Sequence, residues 1–90
     1  MTDRARANVS LNIRRLRIAR GWSQAQLAER LNDTSQTDVS YLERGFPVTV
    51  ERLEAIAETF AVTVAELQRT PSADEIFATM NRPKQVAAAG

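Results

Sequence analysis

Positions 23–45 read SQAQLAERLNDTSQTDVSYLERG, and this stretch constrains the fold more than any other. Its first part predicts a short helix. Ser23 can accept a bond from a backbone N–H at the helix start, and Gln26 stands three residues on, as a capping box requires. Leu27, Ala28 and Leu31 then fall on one helical face. Asn32, Asp33 and Thr34 are poor helix formers that favour a turn, and Asn32 tolerates a left-handed backbone. Ser35 opens a second helix with Asp38 at its third position. Val39 and Leu42 point inward, and Gly45 is the stop. Two short helices joined by a tight turn form a helix-turn-helix.

The outer face of the second helix carries Gln36, Thr37, Ser40, Tyr41 and Arg44. Glutamine can bond bidentately to adenine in the major groove, and serine and threonine can bond several base edges. A threonine methyl can also touch a thymine methyl. A merely solvated helix face can carry the same residue types, so the face alone leaves both readings open.

The remaining chain supplies a small helical core. Val9, Ile13 and Leu16 repeat at helical spacing, predicting a first helix over about 7–20 that Gly21 ends. Residues 1–7 are either a basic arm or the start of that helix. Trp22, just before the cap residue Ser23, suits a hydrophobic staple. Pro47 forbids helix after Gly45, and Thr49 caps a fourth helix over about 50–60. Its stripe is Leu53, Ile56, Ala57 and Phe60, with Glu51, Glu54 and Glu58 on the outer face. Thr63 and Glu66 box a fifth helix, and Val62, Val64 and Leu67 complete the core. Pro71 closes a domain spanning 8–70. Ser72 and Glu75 then predict a sixth helix within 71–83, ending near Asn81, followed by a flexible tail over 84–90. Leu67, Ile76, Phe77 and Met80 offer an apolar surface for a homodimer through helices 5 and 6. The sixth helix would fold back on helix 5 or pack on another subunit.

Ninety residues suit one small domain. The chain holds no cysteine and no histidine, which removes disulfides and the commonest metal ligands. No Gly-rich phosphate loop or core-placed carboxylate pair is present, so neither enzyme activity nor a cofactor is expected. No apolar run nears the roughly 18 residues that span a membrane, and no signal-peptide pattern opens the chain. The default expectation is cytoplasmic. Net charge is only +1, yet it is uneven. Residues 1–30 hold seven arginines against two acids, net +5; residues 31–90 hold five basic and nine acidic residues, net −4. That asymmetry predicts a basic face suited to phosphate.

IRRLR at 13–17, WSQAQLAERL at 22–31, VSYLERG at 39–45 and LEAIAETFAVTVAEL at 53–67 together resemble one family. It is the helix-turn-helix domain shared by phage Cro proteins, phage repressors and bacterial regulators of the xenobiotic-response-element type. The resemblance covers 13–67. It implies an all-α fold of five helices, here with a sixth, and a transcriptional regulator that binds double-stranded operator DNA. Gln36, Thr37, Ser40 and Tyr41 would face bases. Gln24, Ser35 and Arg44 would hold phosphates, helped by Arg14 or Arg15. The resemblance also implies an ion pair between Arg17 and Glu43, and that Gln24 touches the start of the reading helix. The chain departs from the pattern in two places. Leu31 to Val39 is one residue longer, with Asp33 or Thr34 where a small apolar turn residue is expected. The connection from Gly45 to Leu53 is about one residue short and lacks the usual lysines and arginines. A protein-binding module on the same scaffold, such as an antitoxin or anti-repressor, is the competing reading. It is suggested by Phe46, Val48 and the apolar stripe of helix 6.

Overall fold

The structure, a computed structural model, describes residues 1–80. Among these the chain forms six helices: α1 Asp3–Ala19, α2 Gln24–Arg30, α3 Gln36–Glu43, α4 Val50–Phe60, α5 Val64–Gln68 and α6 Ala73–Met80. The fold is all-α. The end of the sixth helix expected near Asn81 and the tail over 84–90 lie outside the described residues.

Each helix begins where a short polar side chain satisfies an orphan N–H. Ser23 Oγ accepts from Gln26 N at 3.0 Å while Gln26 Oε1 accepts from Ser23 N at 2.8 Å. Ser35 and Asp38 repeat the reciprocal pair at 3.1 and 3.0 Å. Thr63 and Glu66 do so at 3.0 and 2.9 Å. Thr49 Oγ1 accepts from Arg52 N at 3.1 Å. α1 starts four residues before the position expected from its apolar spacing. Thr2 Oγ1 caps Ala5 N at 3.1 Å, and Asp3 puts negative charge in the first turn. Residues 3–7 are therefore helical.

The stops also have local causes. Gly21 and Gly45 adopt φ of 75° and 90°, where a side chain would be strained. In the α2–α3 turn the left-handed residue is Asp33, φ 52°, rather than Asn32. Thr34 Oγ1 donates to Asn32 O at 2.9 Å, folding the extra residue into a tight loop. Ala61, at φ 59°, ends α4 with Val62 N bonded to Ala57 O at 2.9 Å.

The core is one cluster. Val9, Ile13 and Leu16 of α1 meet Leu27 and Ala28 of α2, Val39 and Leu42 of α3, four residues of α4 and Leu67. Phe60 is fully buried, and half-buried Trp22 stacks on it with centroids 5.7 Å apart. α1 is the spine, touching α3, α5 and α6, while α2 packs on α3. Two buried asparagines fix α5 to it. Asn12 Nδ2 donates to Leu67 O and Arg69 O, both at 2.8 Å. One turn earlier Asn8 Nδ2 reaches Gln68 O at 3.0 Å and Thr70 Oγ1 at 3.2 Å. They occupy carbonyls that a five-residue helix leaves open at its end.

α6 lies chiefly across α1 rather than folding back on α5. Glu75 holds it there. Its carboxylate accepts from Arg69 at 2.7 and 2.9 Å and from Ser72 N at 2.9 Å, with Arg15 Nη2 3.5 Å away. These donors, Arg69 first, draw the Glu75 carboxyl down to about 2.

Candidate nucleic-acid interface

The first turn of α3 is open to solvent. Ser35, Gln36 and Thr37 are exposed, Ser40 is half-buried and Tyr41 is 41% exposed. Helical spacing sets Gln36 with Ser40 in one row and Thr37, Tyr41 and Arg44 in the next. The row pairs long polar side chains at the helix start with an aromatic–cationic group at its end. Asp38 serves the cap. The Ser35 backbone N–H is the main cause that holds its carboxyl below the usual range, with Arg52 adding to it.

Beneath this face the helix is fixed by a buried charge network. Arg17 Nε and Nη2 donate to Glu43 Oε2 and Oε1 at 2.5 and 3.1 Å. The side chains are 12% and 3% exposed. Arg17 Nη1 also donates to Trp22 O at 2.8 Å. One guanidinium thus ties α1, the entry to α2 and the end of α3 together. Gln24 Nε2 joins at 3.3 Å to Glu43 Oε1. Gln24 therefore meets α3 at its end, through an oxygen that also accepts from Arg17, where the resemblance implies a contact with its start.

Three further expectations change. Leu67 is 0% exposed and belongs to the core, so it cannot line a dimer surface. Its α5 stripe is used up against α1. Ile76 is half-buried and Phe77 66% exposed, while the Met80 side chain lies outside the described residues. Arg15 is half-buried, with Nε donating to Asn12 Oδ1 at 3.0 Å and Nη2 near Glu75. It is committed to α5 and α6, and Arg14 is the exposed member of the pair. The arginine-rich first third is also less free than its net charge suggests. Arg6 pairs with Asp3, Arg20 donates to Phe60 O, and Arg30 lies 4.2 Å over the Trp22 ring. Among the described residues, Arg4 and Arg14 are the members of that third with no such engagement.

Two side chains that the sequence did not single out for this face also matter. Phe46 stacks on Tyr41, centroids 4.7 Å apart and planes 15° off parallel. Arg44 sits 5.1 and 5.4 Å from the two rings. Arg52 reaches from α4 to Asp33 O at 3.4 Å and lies 3.8 Å from Asp38, bracing both the turn and the start of α3. The acids Glu51, Glu54 and Glu58 are exposed on α4.

A helix-turn-helix family model matches residues 13–67. No curated protein and no solved structure matches the chain.

Proposed function

Because the chain belongs to the Cro- and repressor-type helix-turn-helix family of DNA-binding regulatory domains, we propose that it is a sequence-specific transcriptional regulator that lays α3 in the major groove. The observation that carries this reading is the pairing of an exposed, capped first turn on α3 with a buried Arg17–Glu43 brace behind it. A reading helix needs its side chains free and its axis fixed. In this account Gln36, Thr37, Ser40 and Tyr41 meet base edges. Gln24, Ser35, Arg44 and Arg14 meet phosphates, which position the protein without reading sequence. The family implies DNA binding, and no described helix is long and apolar enough to cross a membrane.

Two copies would meet through the outer face of α6, around Ile76 and Phe77, with Leu67 left in the core. The exposure of Phe77 also favours the second reading, an antitoxin or anti-repressor that binds a protein partner there.

Selection from a random duplex pool, followed by affinity measurement across salt concentrations, tests the proposal. Binding should enrich one site, and log affinity should fall against log salt with a slope of about 0.9 per neutralised phosphate. A folded chain with no salt-sensitive duplex binding would sink the DNA reading and promote the protein partner.

A further inference from the structure

We propose that the stacked Tyr41–Phe46 pair, clasped by Arg44, reads the methyl group of one thymine, with Phe46 as a specificity-determining residue outside the reading helix. This deepens the DNA-binding reading and rests on it.

The two rings are exposed, 41% and 48%, yet they are fixed. Tyr41 stands one turn beyond Thr37 on the outer face of α3, so its ring continues the base-facing row. Phe46 is brought back against it by the chain reversal at Gly45, φ 90°. The reversal is closed by Phe46 N donating to Tyr41 O at 3.1 Å. Pro47 follows, and the residue before a proline is confined to extended backbone. Phe46 is thus held between a glycine turn and a proline, and it stacks at 4.7 Å on a side chain of the helix. The Arg44 guanidinium lies 5.1 and 5.4 Å from the two ring centroids, beside the stack and within cation–π range of both rings. The group is one unit, two exposed rings with one guanidinium beside them.

The ligand class follows from what a duplex shows. Base pairs present hydrogen-bonding groups in the major groove and a single apolar one, the C5 methyl of thymine. An exposed apolar edge on the reading face therefore has one kind of base partner. Buried methyl–ring contact replaces water on both surfaces, and a rigid unit loses little side-chain entropy in making it. Arg44 at the same edge is placed for the adjoining phosphate, which would seat the rings at a fixed depth.

The test uses the full chain and the duplex it selects. Each thymine is replaced in turn by deoxyuridine, which lacks only the methyl. One replacement should weaken the parent about fourfold, the worth of one buried methyl. Phe46→Ala should bind the two duplexes equally, and Tyr41→Ala should behave the same way. Thermal melts run beside the binding assay check folding. If Phe46→Ala fails to melt cooperatively, Phe46→Leu replaces it, keeping an apolar side chain without the stack. Loss of sensitivity to the methyl in a folded variant supports the inference. If Phe46→Ala shows the same deoxyuridine response as the parent at every position, the inference falls while the DNA reading stands. A folded parent that selects no duplex overturns both.

Discussion

Glu43→Ala should destabilise the domain severely, through Arg17 rather than through Glu43 itself. The carboxylate is 3% exposed and accepts two bonds from a guanidinium that is 12% exposed. Deleting it leaves Arg17 with Trp22 O, at 2.8 Å, as its only remaining acceptor among the described residues. Removing one partner of a buried pair costs about 3–5 kcal/mol, because the other charge stays desolvated and uncompensated. Small domains have about 5–15 kcal/mol in all. At about 4–8 °C per kcal/mol, the lower cost of 3 lowers Tm by roughly 12–24 °C. Helical circular dichroism followed through a melt measures this directly. Asp3→Ala is the control, since that carboxylate is 95% exposed and its pair with Arg6 is solvated; Tm should move little. The double variant Arg17→Met, Glu43→Leu should recover most of the loss, since packed apolar groups carry no unpaired charge. A Glu43→Ala protein that melts within a few degrees of the parent would refute the claim that this pair braces α3.

Asn12→Ala should cost about 1–3 kcal/mol, seen in the same melt, because it strands the carbonyls of Leu67 and Arg69 in the interior. A loss below that range would mean that water satisfies them. Acid should loosen α6 before the core. The Glu75 carboxyl falls from 4.5 to about 2 in the fold, so its contribution is complete above 4.5 and disappears as pH drops from there through about 2. Amide shifts of residues 73–79 should move in that window, and Glu75→Gln should abolish the movement while giving a loosened α6 at neutral pH. Gln36→Ala should keep its Tm, cost about 1–3 kcal/mol at the selected site and relax one base preference. Arg44→Ala should weaken all duplexes and make the salt slope shallower by about one. If Gln36→Ala instead acts uniformly, Gln36 leaves the base-reading set.

The starts of α2 to α6 were legible because their signals are local. Ser23 with Gln26, Ser35 with Asp38, and Thr63 with Glu66 each satisfy their caps within three residues, and the structure pairs each as expected. Stripes on α1 and α4 were equally plain, since each repeats over several turns. What failed to show depends on distance along the chain. Asn8 and Asn12 look like ordinary polar residues until α5 arrives 55 residues or more later to receive their bonds. Arg15 looked free because the cap residue Glu75, 60 positions on, carries no local sign that it will also face α1. Leu67 was read both as core and as dimer surface, because a five-residue helix is too short for its spacing to tell inside from outside; it is core. Phe46 lies past the glycine stop, where periodicity says nothing about which ring it will meet. Thr2 and Asp3 did carry a helix-start signal. Without a glutamate three residues after the cap, it was indistinguishable from a basic arm.

On this reading the open face of α3 is the surface that meets DNA. Amide chemical-shift mapping during titration with the selected duplex tests it most directly. Large shifts are expected at Gln24, across 35–41 and across 44–46, with Glu51, Glu54, Glu58 and the body of α4 unmoved. Shifts confined to α6 and the exposed side of α1, with 35–41 silent, would contradict it.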